Sequence, residues 1–180
     1  MISGLFLRIR KRNTIDALYG AIVAQARSPV FYRGYGVPDT VAGRLEMILI
    51  HAFLFSRRAR NRTKTMQRLG QDVFDRFCDD MDANLREMGV GDLAVPKHMQ
   101  RIGEAFYGRA TVYDAALAAA QDSALAQALI RNVFAGAPQP PERAERLAAY
   151  IKAADFQLAQ QEDVELTRGR ISFPDPQLFN

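Results

Sequence analysis

Apolar residues recur at intervals of three and four along most of the chain, a spacing that predicts amphipathic helices. No stretch alternates apolar and polar residues over the length that a strand requires. The predicted helices cover residues 14–28, 40–57, 65–88, 96–117, 123–135 and 142–166, separated by glycine and proline. We therefore expect an all-α, single-domain bundle of six or seven helices.

The pattern also predicts how the 180 residues are divided. Residues 1–13 form a basic amphipathic N-terminal segment, and Thr14 is the predicted N-cap of the first helix. Residues 14–167 form the helical domain. The remaining residues, 168–180, contain Pro174 and Pro176 and are predicted to be an extended tail.

Residues 47–55 are apolar except for His51. A helix that crosses a membrane needs about 20 apolar residues, so this shorter run predicts a helix buried in the core. A histidine inside such a run is expected to bond to backbone groups. We therefore do not assign His51 to catalysis or to a ligand site.

The charges are distributed unevenly along the chain. Residues 1–64 contain 12 Lys and Arg against 3 Asp and Glu, whereas residues 65–180 contain 12 against 17. This difference predicts a face for an anionic partner, either lipid headgroups or RNA phosphates. Alternatively, these residues belong to a packed or frayed helix end and a solvated linker. The candidate residues form two groups: Arg8, Arg10, Lys11 and Arg12, and then Arg57, Arg58, Arg60, Arg62 and Lys64.

Catalysis has little support in the residue types present. Cys78 is the only cysteine and there are two histidines, so no cysteine-based metal site is expected. Asp75 and Asp79 form a D-x-x-x-D pair that suits Mg²⁺, as in helical prenyl or isoprenoid transferases. Such enzymes need a second acidic helix, and none is evident. The alternative is that Asp75, Asp79 and Asp82 form an acidic face for a client or partner protein.

Three aromatic residues lie on a predicted glycine-containing loop, residues 29–38. Phe31, Tyr32 and Tyr35 can anchor a partner protein, because aromatic side chains dominate many interfaces. They can equally fold back into the core. The sequence leaves both alternatives open.

Three blocks of sequence resemble the ubiquinol–cytochrome c chaperone family. They are residues 19–46, residues 74–97 (FDRFCDDMDANLREMGVGDLAVPK) and residues 104–109 (EAFYGR). They occur in the order found in that family, and the resemblance extends over about residues 14–170. We expect a bacterial member.

The resemblance implies an all-helical chaperone without established catalytic residues, cofactor or small-molecule substrate. Members of the family assist assembly of ubiquinol–cytochrome c reductase, and mitochondrial relatives hold newly made cytochrome b at the ribosomal tunnel exit together with a small partner protein. We therefore expect cytochrome b as client, with the ribosome, an anionic membrane surface and a small protein as further partners. The expected location is cytoplasmic, peripheral at the inner face of the membrane. The alternatives are the Mg²⁺-dependent transferase and a membrane-surface or ribosome adaptor without a dedicated client.

Overall fold

The computed structural model describes residues 2–119, 121, 123–135 and 140–179, with side chains from residue 9 onward. Over these residues it contains eight α-helices, one 3₁₀ turn and no strand, which confirms the all-α prediction. Six helices have ten residues or more, and two are single turns. The helices are α1 (Ile2–Ala26), α2 (Pro29–Arg33), α3 (Val41–Arg60), α4 (Lys64–Glu87), α5 (Val95–Ala118), α6 (Ser123–Asn132), α7 (Pro141–Gln160) and α8 (Asp163–Thr167), followed by the 3₁₀ turn Pro176–Phe179.

Helix α3 is the centre of the bundle. Residues 47–55 are buried without exception, and α3 contacts α1, α4, α5 and α7. A helix that is apolar on all sides is expected to be surrounded by protein. The prediction of a buried core helix, with His51 inside it, is confirmed. None of the described helices has the length and apolarity needed to cross a bilayer.

Local signals set several helix ends. The Thr40 hydroxyl accepts a hydrogen bond of 3.1 Å from the Gly43 amide and caps α3. Helix α4 begins at Lys64, one residue before the predicted start, and the Thr63 hydroxyl accepts a hydrogen bond from the Met66 amide. Gly89 has a φ of +82° just after α4, a left-handed conformation that commonly ends a helix at glycine. The apolar stripe of α4 is buried up to Phe77, whereas Met88 at its end is 65% exposed.

The predicted first helix boundary is wrong. Helix α1 starts at Ile2 rather than after Thr14, so residues 2–13 continue the same helix. Thr14 is not its N-cap. Its hydroxyl instead makes a long hydrogen bond of 3.5 Å to the carbonyl oxygen of Thr167, at the end of α8.

The C-terminal part also differs from the expectation. The predicted helix over residues 142–166 is broken after Gln160 into α7 and α8. The tail beyond Arg168 lies against the core: the ring of Phe173 is 5.2 Å from that of His51, and Phe179 is 6.1 Å from Tyr150. Pro176 is buried. The segment is therefore part of the packed domain.

Candidate functional site

The first half of the predicted aromatic loop is a turn of helix, and two of the three aromatic rings enter the core. Phe31 and Tyr35 have no exposed surface. The Phe31 ring lies 4.9 Å from that of Tyr150, and the Tyr35 hydroxyl donates a hydrogen bond of 2.6 Å to the Pro176 carbonyl oxygen. Of the alternatives that the sequence left open, the structure shows Phe31 and Tyr35 buried in the core rather than exposed as anchors for a partner.

Tyr32 is partly buried at the edge of the same turn. Its hydroxyl donates to the Ala26 carbonyl oxygen at 2.8 Å, and the Arg44 guanidinium lies 5.7 Å from the centre of its ring. Both contacts hold the ring against its own protein. Tyr32 therefore belongs to the packing between α1 and α2 rather than to an exposed anchor.

A polar chain crosses the core beside these rings. Gln25 donates a hydrogen bond to the Tyr150 hydroxyl at 3.0 Å, and the Tyr150 hydroxyl is 2.8 Å from Nε2 of His51. Nδ1 of His51 is 2.7 Å from the Met47 carbonyl oxygen. Complete burial lowers the pKa of His51 to about 4. The histidine is consequently a neutral structural residue that connects α1, α3 and α7.

The second predicted group of cations, Arg57, Arg58, Arg60, Arg62 and Lys64, which we call the basic connector, is largely occupied by ion pairs within the fold. Arg57 binds Asp114 and, at 2.9 Å, Asp155, while Arg60 binds Asp114 at 2.8 Å. Although desolvation opposes it, the hydrogen bond from Arg60 and the charge of Arg57 lower the pKa of Asp114. The connector was predicted to be an anionic-surface site. These arginines instead attach α3 to α5 and α7.

Arg58 is the most constrained of the group, with 7% of its surface exposed. It donates to the carbonyl oxygens of Leu158 and Gln161, at 2.7 and 2.6 Å, and to the Asp163 carboxylate at 2.7 Å. Arg62 binds the same carboxylate at 3.1 Å. Arg58 is therefore not exposed as a cation for an anionic surface, because it is buried and satisfies the end of α7. Lys64 is exposed at the start of α4.

The N-terminal basic residues are more accessible. Arg10, Lys11 and Arg12 are exposed along α1, while the side chain of Arg8 lies outside the described part. Lys11 binds Asp72 on α4 at 2.9 Å, and Arg12 is 3.8 Å from Asp16. Together with the ion pairs of Arg57, Arg58 and Arg60, the Lys11–Asp72 pair shows that several cations of the basic half of the sequence meet carboxylates of the acidic half inside the fold.

The acidic stripe faces a groove of about 890 Å³ between α4 and α1. Asp75 and Asp79 are exposed there, whereas Asp82 is bound by Arg86 at 2.6 Å. On the opposite wall, formed by α1 and the residue after it, the charged lining residues are three cations, Lys11, Arg12 and Arg27, and one carboxylate, Asp16. In the part of the chain with described side chains, no group of three or more acidic, His or Cys residues is arranged to hold a metal. This geometry does not favour a Mg²⁺-dependent transferase.

An aromatic surface that the sequence reasoning missed lies between α4 and α5. We call Phe74, Phe106 and Tyr107 the aromatic face. The Phe74 ring is 4.6 Å from that of Phe106 and 5.8 Å from that of Tyr107, which is 60% exposed. These rings border a groove of about 320 Å³ that Gly70 and Ala59 also line. An exposed aromatic edge over such a groove can accept an apolar side chain.

Comparison with known proteins identifies the family. The family model described as Ubiquinol-cytochrome C chaperone matches residues 33–173. The crystal structure of the Cbp3 homolog from Brucella abortus is similar over 98% of both chains, with 38% sequence identity and a TM-score of 0.87. No curated protein matches the chain significantly. This chain belongs to the ubiquinol–cytochrome c chaperone family.

In this chaperone, the residues of the aromatic face lie in the sequence blocks that resemble the family. Phe74 opens the second block and Phe106 and Tyr107 lie in the third, so the face is built from segments that carry the family resemblance. The α4 stripe predicted the helix but not the face, because Phe74 lies beside the buried Val73 and contacts rings on α5. The sequence pattern does not show that α4 and α5 pack side by side, and this packing creates the face.

Proposed function

We propose that this chain is a chaperone that binds newly made cytochrome b during assembly of ubiquinol–cytochrome c reductase. The main support for this proposal is that the chain belongs to the ubiquinol–cytochrome c chaperone family and is similar to a Cbp3 homolog over 98% of both chains. The proposed mechanism is binding without catalysis. The completely buried His51 and the ion-paired arginines support this, because their observed contacts are structural.

The aromatic face is the proposed contact for the client. A membrane protein that has not yet been inserted or assembled exposes apolar side chains, and a chaperone must cover them reversibly. Tyr107 is exposed above the partly buried Phe74, so an apolar side chain can bury itself there without unfolding the bundle. The groove admits one or two side chains rather than a whole helix, which suits transient binding.

Capture of cytochrome b tests this assignment. Tagged wild-type chaperone is expected to co-purify newly labelled cytochrome b, and Tyr107→Asp is expected to reduce capture by about tenfold, as for loss of a hot-spot contact. Phe156→Asp is the matched control, because Phe156 is 68% exposed on α7, away from the groove. Equal capture by wild type and Tyr107→Asp would refute the client contact. Absence of cytochrome b from the wild-type sample would refute the proposed function itself.

Asp75 and Asp79 remain proposed as a contact for a basic segment of the client or of a small partner protein. Both are exposed on α4, and the structure shows Asp75 only in a hydrogen bond of 2.7 Å with Gln71. Asp82 contributes less, because Arg86 already neutralises it. In the same capture experiment, Asp75→Asn with Asp79→Asn is expected to weaken partner binding more at low than at high salt. Unchanged partner capture would refute this contact.

Proposed sites of action are the ribosome and the inner face of the membrane, both anionic surfaces. Support comes from the exposed cations Arg10 and Arg12 on α1. The connector arginines do not add to it, because they are bound to Asp114, Asp155 and Asp163.

A further inference from the structure

A second groove, of about 900 Å³, lies on the opposite side of the N-terminal half of α1. Its walls come from α1, the beginning of α4 and the segment after α8. Five cations line it: Arg10 and Lys11 from α1, Arg68 from α4, and Arg168 and Arg170 from the last segment. Residues that are far apart in the sequence thus form one basic surface, which we call the basic groove.

The fold builds this groove through a close contact at Gly169. Its φ is +81°, and an added Cβ would lie 3.1 Å from the Cβ of Ala17 and 3.4 Å from the Cα of Thr14. Only glycine accommodates both the conformation and the approach to α1 without strain. Leu166, which is completely buried, holds the preceding turn in the core beside Leu18. Arg168 and Arg170 are therefore fixed beside α1.

The groove keeps a positive surplus after its internal ion pairs are counted. Lys11 is bound by Asp72, and Glu165 binds Arg170 and lies 3.6 Å from Arg168. Arg10 and Arg68 are exposed and have no ion pair with any side chain described in the structure. Two guanidinium groups on neighbouring helices are thus available to an anion between them.

We propose that the basic groove binds the phosphate-bearing headgroup of an anionic phospholipid and so places this face of the protein on a membrane. The hydroxyl-bearing residues Thr14, Thr65 and Thr167 line the same groove and can donate hydrogen bonds to phosphate oxygens. Arginine matches phosphate geometry with paired N–H donors.

Neighbouring side chains favour a lipid surface over a nucleic acid. Ile9 precedes Arg10 on α1, and Val164 lies on α8 four residues before Arg168; these side chains are 48% and 47% exposed and can enter the region between headgroups and acyl chains. The described groove lining contains no aromatic residue on which a base can stack. Cations combined with exposed aliphatic residues are typical of interfacial membrane binding.

Vesicle binding by the full chain tests the proposal. The protein is expected to sediment with phosphatidylcholine vesicles that contain phosphatidylglycerol, but not with phosphatidylcholine alone. Arg10→Gln with Arg68→Gln is expected to lower the affinity by about twenty-fivefold, since each basic residue at such a surface contributes about fivefold. The matched control is Arg33→Gln with Arg101→Gln, which removes the same charge from exposed positions outside the groove and is expected to change the affinity less than threefold.

Further measurements distinguish a lipid headgroup from a free phosphate compound and from RNA. Inorganic phosphate at matched ionic strength is expected to leave vesicle binding unchanged; complete displacement would assign the groove to a free phosphate compound and overturn the lipid proposal. Equal losses in the groove and control variants would also overturn it. So would loss of single-stranded RNA binding by the groove variant with vesicle binding retained. The inference rests on the proposed function only for where in the cell the protein acts. Vesicle binding is measured without cytochrome b, so its outcome is independent of the client-capture experiment.

Discussion

The Tyr150 hydroxyl lies 2.8 Å from Nε2 of His51, and Nδ1 of that ring lies 2.7 Å from the carbonyl oxygen of Met47. Because a carbonyl oxygen can only accept, Nδ1 carries the proton and Nε2 accepts from Tyr150. Gln25 completes the chain by donating to the Tyr150 oxygen. One buried tyrosine therefore satisfies polar groups from two other helices.

Tyr150→Phe is expected to lower the free energy of unfolding by about 1–3 kcal/mol, because it leaves Nε2 of His51 and one donor of Gln25 without their partner in a dry core. Thermal or urea unfolding measures the change. Tyr107→Phe is the control: its ring is 60% exposed, so removal of its hydroxyl is expected to change stability by less than about 0.5 kcal/mol. Equal stability of the two variants would contradict the proposed chain.

The protein is expected to become less stable as the pH decreases, because His51 is buried in its neutral form. Burial lowers the pKa of its side chain from 6.5 to about 4, so between these values the unfolded chain binds a proton that the folded chain excludes. The free energy of unfolding therefore decreases as the pH falls from about 6.5 to 4, by up to about 3 kcal/mol.

Urea unfolding across this range measures the decrease. His51→Gln is expected to remove that part of the slope, whereas His98→Gln is expected to retain it, since His98 lies partly exposed at the start of α5. An unchanged slope in His51→Gln would show that carboxylates alone cause the pH dependence.

Sequence periodicity predicted the helices because each buries a regular apolar stripe, as α4 does through Met66, Leu69, Val73 and Phe77. It did not show where Arg58 would lie. Four cations close together in sequence, Arg57, Arg58, Arg60 and Arg62, have no acidic neighbour along the chain. Their partners, Asp114, Asp155 and Asp163, are 50 or more residues away. The same limit applied to Phe31 and Tyr35, whose burial depends on Tyr150 and on the C-terminal segment. Contacts between distant segments therefore decided which candidate residues remained at the surface.

Arg58→Ala is expected to destabilise the protein by about 3 kcal/mol, because it leaves two carbonyl oxygens of the α7 end and part of the Asp163 carboxylate without their buried donor. Arg60→Ala is the matched control. Its side chain is 54% exposed, and loss of its pair with Asp114 is expected to cost less than about 1 kcal/mol. Chemical denaturation measures both values, and similar small losses would show that Arg58 is not the cap of α7.

Two glycine substitutions are expected to act in opposite directions. Gly169→Ala should cost about 1–2 kcal/mol, because alanine is strained at a φ of +81° and its Cβ approaches Ala17. Gly108→Ala in α5 should stabilise by up to about 1 kcal/mol, because its added Cβ meets no atom within 4 Å and alanine favours the helix. Melting temperatures measure the difference; destabilisation by both substitutions would contradict the open environment of Gly108.

Deletion of the gene, followed by the absorption spectrum of isolated membranes, tests the assembly role most directly. The account predicts loss of the cytochrome b signal while the other cytochromes remain, with recovery when the wild-type gene is restored. A normal cytochrome b spectrum and normal reductase abundance in the deletion strain would contradict the role of this chaperone in cytochrome b assembly.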